Sequence, residues 1–269
     1  MRGALLLVLL ILAAPLAAAT RVVSLAPSLS EIVVELQAAD LLVGMLDGGE
    51  RPPELTAVPS VGRYGQIDME RLLSLKPDLL LLWPGSVPAA QRDQLKNLGI
   101  DTYTAEPQGI EELIDQIEAI GVQIGRAAQG RARAQQLRER LQALRARYHR
   151  EQPLRVFYQV WDKPLYTVGG GQIVSDALAV CGARNVFAEL KLPAPQVNLE
   201  SVLLRDPQVI LASDQAQLDA WKTWTQVDAV RNGRLLLVPD KGLERPSGQM
   251  IEAAARLCQV LEATAPVSR

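Results

Sequence analysis

The chain has 269 residues, 48% of them hydrophobic, with 28 basic against 30 acidic side chains, two cysteines and one histidine. That apolar fraction excludes a disordered chain and suffices for two domains of ordinary size, each able to bury a core. The near-neutral charge balance excludes a chain-wide electrostatic reason to bind nucleic acid or an anionic membrane.

Arg2 supplies a positive start, Ala4 to Ala14 an apolar run, and Ala17-Ala18-Ala19 a small-residue cleavage site. Together these predict a cleaved secretory signal over residues 1–19, and a folded part that works outside the cytoplasm. Arg21-Val22-Val23-Ser24-Leu25 then predicts a strand, turned by Ala26-Pro27-Ser28 into an amphipathic helix over Leu29 to Ala38. Ser28 and Glu31 have the S-x-x-E spacing of a capping box, which leaves backbone N–H groups aimed at the turn.

Further strands are expected at Leu41–Met45, Leu79–Trp83, Ile100–Thr104, Leu154–Val160, Asn185–Phe187, Val209–Ala212 and Leu235–Val238, with helical patterns between them. Strands alternating with helices imply parallel sheets covered on both faces. One stretch occurs twice: Glu70 and Pro77 are echoed by Glu200 and Pro207, with offsets 200 − 70 = 130 and 207 − 77 = 130. Each copy reads as a short helix ended before proline and followed by an apolar strand, so the chain is expected to form two similar lobes with a cleft between them.

Between the lobes, Ile110 to Ile124 predicts an amphipathic helix, and the arginine-rich segment after Gly125 a long one over about residues 126–150. Leu137, Leu141 and Leu144 give that helix one narrow apolar stripe; its arginines read as a solvated face, since no aromatics are interleaved for nucleic acid. The expected division is residues 1–19 signal, 20–124 first lobe, 125–151 connecting helix and 152–269 second lobe. Cys181 and Cys258 both lie in the second half, and in an oxidising compartment such a pair reads as a disulfide rather than a metal or catalytic site.

Catalytic constellations are missing. His149 sits at the end of the arginine-rich segment, where it suits a helix C-terminus, and the metal-ligating residue types are too few for a zinc or manganese site. Gly169-Gly170-Gly171 lacks the residues of a phosphate loop and reads as a flexible turn. An exported α/β enzyme is disfavoured for want of a nucleophile and base. The aromatics are more informative: Tyr64, Trp83 and Trp161 lie in loops or at strand ends, where an α/β lobe faces its ligand crevice. Trp221 and Trp224, three residues apart, are expected to pack on one helix face. The loop Asp240 to Ser247 is polar, and its Arg245 could offer a forked donor to a ligand.

The exported two-lobed pattern, the Ala26-Pro27-Ser28 turn before Glu31, the paired Glu70 and Glu200 segments and the closing Glu244-Arg245-Pro246 loop resemble the vitamin B12-binding proteins of ABC importers. The wider class also carries haem and iron-siderophores. The resemblance runs from about Arg21 to Leu261. It implies two Rossmann-like lobes joined by a rigid helix, no enzymatic activity, no cofactor, and cobalamin as the transported ligand in a monomeric periplasmic protein. It places ligand contacts at Pro27, Ser28, Gly48, Tyr64, Trp83 and Trp161 and along Lys241, Gly242, Leu243, Glu244 and Arg245. It assigns Glu70 and Glu200 to docking on the membrane permease, and it too pairs Cys181 with Cys258. Two positions depart from it: Tyr64 stands where the family has tryptophan, and Gly48 where it has a tyrosine.

Overall fold

A computed structural model describes residues 18–49 and 51–264. Most of the expected signal, residues 1–17, lies outside them. The first lobe opens with β1 (Val22–Ser24), α1 (Pro27–Glu35), β2 (Leu42–Asp47), β3 (Ser60–Arg63) and β4 (Gln66–Ile67). It continues with α2 (Met69–Ser74), β5 (Leu79–Leu82), α3 (Ala89–Asn97) and β6 (Asp101–Thr104). Helices α4 (Ile110–Gln123) and α5 (Ala127–Arg147) follow. The second lobe starts with β7 (Leu154–Asp162), β8 (Leu165–Thr167), α6 (Ile173–Val180), β9 (Ala183–Asn185) and α7 (Leu199–Arg205). It ends with β10 (Val209–Ala212), α8 (Gln215–Trp221), α9 (Asp228–Arg231), β11 (Leu235–Leu237) and α10 (Gln249–Ala263).

The two sheets have one plan. The first runs β4-β3-β2-β1-β5-β6, and in the second β7 lies between β9 and β10, with β11 outermost and β8 on the far end of β7. The parallel order β2-β1-β5-β6 thus matches β9-β7-β10-β11. Leu79–Leu82 and Val209–Ala212 are buried throughout, as expected of central parallel strands covered on both faces.

The repeat extends to backbone detail. Asp68 caps α2 by accepting from the Arg71 N–H at 2.9 Å, and Asn198 caps α7 by accepting from the Ser201 N–H at 2.8 Å. Both helices end in a left-handed residue before proline, Lys76 at φ 47° and Asp206 at φ 42°. Caps and terminators share the offset of the glutamates, 198 − 68 = 130 and 206 − 76 = 130.

Helix α5 is not a free charged rod. Gly121 and Gly130 bring α4 and α5 into backbone contact, where a Cβ on Gly130 would lie 3.0 Å from the Glu118 carbonyl. That close approach explains a glycine inside a long helix, where it otherwise costs about 1 kcal/mol relative to alanine. The apolar stripe Leu137, Leu141 and Leu144 is buried. The arginines form the solvated face that was expected, Arg131, Arg140, Arg145 and Arg147 being exposed, and several also pair with neighbours: Arg138 with Asp115 (2.7 Å) and Glu118 (3.1 Å), Arg145 with Glu111 (2.6 Å), Arg140 with Glu252 (2.9 Å) and Arg147 with Glu262 (3.5 Å). Helix α5 is thereby strapped to α4 on one side and α10 on the other.

The cores also differ from two independent ones. A continuous cluster runs from Val22 and Ile32 through Ile117 and Leu141 to Val174 and Leu257, so the inner faces of both lobes share one core. The outer faces keep their own, around Leu80 and Leu95 in the first lobe and Phe157 and Trp221 in the second. Cys181, at the end of α6, is bonded to Cys258 on α10.

Candidate functional site

The C-terminal ends of β1, β2 and β5 deliver three turns to one cavity: Leu25-Ala26-Pro27-Ser28, Leu46-Asp47-Gly48 and Trp83. Strand ends of an open α/β sheet are where its ligand crevice forms. Tyr64 joins them from the two-residue turn between β3 and β4. A Cβ added to Gly85 would lie 4.0 Å from the Tyr64 hydroxyl, so the phenol ring leans toward the Trp83–Gly85 loop. The second lobe closes the cavity with Gln172 and Ile173 at the start of α6 and with Glu244 and Pro246 from the loop after β11. The volume is about 320 Å³.

Tyr64 is 70% exposed and Trp83 half-buried, which leaves aromatic surface for a ligand to cover. Trp83 is held by a tight turn in which its N–H donates to the Ser86 hydroxyl (3.1 Å) and its carbonyl accepts from the Ser86 N–H (2.9 Å). Gly48 has a steric reason of its own, since a Cβ there would come within 2.7 Å of the Pro27 ring. A tyrosine at that position would displace Pro27.

The wall is apolar with acidic accents. The Ser60 hydroxyl and the Arg51 guanidinium hold the Asp47 carboxyl below the usual carboxylate range. Glu244 accepts from the Tyr158 hydroxyl at 3.0 Å, while burial, reinforced by the Glu244 charge, pushes the Tyr158 phenol far above its ordinary value. Tyr158 therefore stays a neutral donor and fixes the carboxylate. Among the described residues that line this cavity, none is basic.

Arg245 does not face the cavity with a free fork. Its Nη1 lies 3.0 Å from Glu31 Oε1, and Ser247 donates its hydroxyl to Glu31 Oε2 at 2.8 Å. Glu31 is 3% exposed on α1, so the closing loop of the second lobe grips the first. The expected capping box is absent: α1 begins at Pro27 with Ala26 as its cap residue and no side-chain cap bond. Ser28 is therefore already the second residue of the helix, and Glu31 lies two residues beyond the third position that a capping box uses. One turn further on, Glu35 meets Arg133 of α5 at 3.0 Å and the Gly248 backbone, with its other oxygen buried and unpartnered. Within the same loop Lys241 is exposed, Gly242 is held by an Asp240 cap, and Leu243 is fully buried in the shared core.

Trp161 is not brought into this cavity. It stands 57% exposed at the end of β7 and lines a second cavity with Trp221 and Trp224. Glu70 and Glu200 are exposed in the first turns of α2 and α7, and neither forms an ion pair among the described residues. The Gly169-Gly170 pair is not a flexible turn: their N–H groups donate to Pro193 (3.0 Å) and Leu190 (2.8 Å), and no Cβ fits against the carbonyls of residues 188–192. That packing sets Gln172 and Ile173 in the wall. His149 lies just beyond the capped end of α5, exposed. Sequence reasoning missed Asp47, Tyr158, Gln172 and Ile173; for Asp47 a position two residues past the expected strand, and for Gln172 and Ile173 a position opening the helix after a glycine run, was the available signal, while Tyr158 in the interior of β7 offered none.

Comparison with known proteins follows the same outline. The family model described as periplasmic binding protein matches residues 22–241. A protein named vitamin B12-binding protein from Vibrio cholerae is 34% identical over 247 residues, 91% of this chain and 90% of that one. Its namesake from Yersinia pseudotuberculosis is 35% identical over 265 residues, 96% of this chain and 92% of that one. The crystal structure of the periplasmic vitamin B12-binding protein of Vibrio cholerae superposes with a TM-score of 0.81 at 33% identity, covering 91% of this chain and 98% of that one. With its paired sheets, the cleft at their strand ends and a match spanning nearly both lobes, the chain belongs to the periplasmic binding protein family.

Proposed function

We propose that the protein captures cobalamin in the cleft between its lobes and delivers it to an ABC importer. The observation that carries this reading is the cavity wall: Pro27, Tyr64, Trp83, Ile173 and Pro246 supply apolar and aromatic surface, Asp47 and Glu244 supply acceptors, and no basic side chain lines it. Haem propionates and the net negative charge of catecholate or carboxylate ferric siderophores would be left buried and unpaired by such a wall. Cobalamin presents a broad corrin rimmed with neutral amides, whose N–H groups suit carboxylate acceptors and whose flat face suits a tyrosine and a tryptophan. The relatives that carry the vitamin's name support the same choice.

Delivery rests on Glu70 and Glu200, two exposed carboxylates presented by copies of one helix turn, which suit basic pockets on a two-subunit permease. We assign the chain to the periplasm as a monomer, exported by a signal cleaved after Ala19, where an oxidising compartment maintains the Cys181–Cys258 bond.

Calorimetry with cyanocobalamin, haemin and a ferric hydroxamate tests the ligand. A one-to-one complex with cyanocobalamin and weaker or no binding of the others is expected. Tight haemin or siderophore binding without cobalamin binding would overturn the reading.

A further inference from the structure

The two lobes begin their central strands in the same way. Asp78 stands just before β5 and Gln208 just before β10, at the offset of the repeat, 208 − 78 = 130. Each donates its backbone N–H to an arginine carbonyl, Asp78 to Arg21 at 2.9 Å and Gln208 to Arg155 at 2.8 Å. Each side chain also accepts from that arginine's backbone N–H, at 2.9 Å in the first lobe and 3.1 Å in the second. Both guanidinium groups turn to the carbonyls that end the preceding helix, Arg21 to Leu75 and Lys76, Arg155 to Asp206.

One element of this pattern differs. The first lobe has a carboxylate where the second manages with a neutral amide. The residue before Arg155 is Leu154, whose N–H donates to the Gly182 carbonyl at 3.1 Å. The residue before Arg21 is Thr20, and it turns to Asp78 instead, with its backbone nitrogen 2.9 Å and its hydroxyl 2.8 Å from Oδ2. Burial opposes ionisation of the half-buried Asp78, yet the Thr20 and Arg21 donors hold its carboxyl below the usual range. Among the described residues no cationic side chain pairs with it. A fixed negative charge thus faces the nitrogen of Thr20, the residue that follows the Ala17-Ala18-Ala19 cleavage site.

We propose that Asp78 is the receptor for the α-ammonium group that signal cleavage releases at Thr20, so that processing itself adds an ion pair to the fold. The proposal rests on the cleavage after Ala19 given above. Hydrolysis of the Ala19–Thr20 peptide bond consumes one water and leaves a carboxylate on Ala19 and an ammonium on Thr20. That nitrogen already lies within charge-assisted hydrogen-bond distance of Oδ2, and its new charge strengthens a contact that the precursor makes only with a neutral N–H. The second lobe, where the chain runs on through an internal peptide, has no such charge to receive and carries Gln208.

Intact-mass spectrometry of the exported protein should give a chain beginning at Thr20. Chains made to begin at Thr20 or at Ala18 then isolate the ammonium, because the longer one keeps the Thr20 N–H as a neutral donor and carries its own ammonium beside Gly125. It also keeps the Ala19 N–H bond to the Gln123 carbonyl, which the Asp78 substitution leaves alone in either variant. At about pH 6, where an α-amine is charged, Asp78→Asn should lower the melting temperature by about 2 to 4 °C more in the chain beginning at Thr20 than in the longer one. If Asp78→Asn does not fold, the Nα-acetylated Thr20 chain decides: it retains the N–H without the charge and should melt about 2 to 4 °C below the free chain. Equal losses in the two chains, or an acetylated chain that melts with the free one, would overturn the pair and leave the cleavage site standing. An exported chain that begins elsewhere would overturn both.

Discussion

Glu31 and Arg245 sit 214 positions apart (245 − 31) and meet at 3.0 Å, joining the first helix of one lobe to the closing loop of the other. The carboxylate is almost fully buried and also accepts from Ser247, so it is paired and hydrogen-bonded as a buried charge must be. Removing Arg245 strands a buried carboxylate, whereas removing Glu31 leaves a guanidinium that water still reaches. Arg245→Ala should lower unfolding free energy by about 3 kcal/mol in urea titrations and Glu31→Ala by less, with the double variant losing much less than the sum. Additive losses would show that the two groups act separately.

A second carboxylate on the same helix face gives the fold a pH dependence. Burial pushes the Glu35 carboxyl above the usual range, against the opposing pull of Arg133 and the Gly248 N–H and with help from the Glu31 charge. The folded state therefore holds this proton more tightly than the unfolded chain. The resulting stability is full below the ordinary glutamate range and is lost as pH rises through the elevated value. Glu35→Gln should gain on the wild type between mildly acidic and neutral pH, which paired denaturation curves at about pH 4 and pH 8 would reveal. A constant difference across that interval would contradict the assignment.

The ligand wall predicts which aromatics matter. Trp83→Ala and Tyr64→Ala should each weaken cyanocobalamin by about 1 to 3 kcal/mol through lost ring burial, with the melting temperature of the free protein little changed for the exposed Tyr64. Calorimetry on both variants measures this. An unaltered dissociation constant for Trp83→Ala would remove the cleft as the binding site.

Docking should separate from capture. Glu70→Ala combined with Glu200→Ala is expected to leave ligand affinity and melting temperature nearly unchanged while abolishing complex formation with the permease, and lysine at both positions should be worse than alanine. Pull-down on permease in detergent reads the first effect and cobalamin titration the second. Loss of ligand binding with docking intact would place the glutamates in the cleft.

Much of this architecture was legible in the sequence because central parallel strands are unbroken apolar runs. Leu79–Leu82 and Val209–Ala212 announce themselves. The β3–β4 hairpin and β8 were not legible: they are short strands at a sheet margin, with Gln66-Ile67 too brief to show any period. The Ser28–Glu31 spacing misled because local pattern cannot show that Pro27 starts the helix two residues early. Arg245 was legible as a candidate contact, but not its partner, which lies in another lobe. Leu243 reads as part of a polar loop until the shared core is seen to absorb it.

The 130-residue repeat has a consequence for assembly. The turn at residues 68–77 and its twin at 198–207 share a glutamate two residues past a side-chain cap and a left-handed residue before proline, but Asp68 is matched by Asn198, Arg71 by Ser201 and Lys76 by Asp206. On the docking role proposed above, a partner built from two identical subunits would meet the same glutamate on each lobe but different charges around it. Half a turn about such a partner's two-fold axis would only exchange the identical subunits, so the flanking charges would make the two contacts within each complex unequal. The cleft is asymmetric too, with Tyr64 and Trp83 on one bank and Glu244 and Pro246 on the other, so a ligand carried by the docked protein would arrive at the pore in a single pose, apart from that exchange.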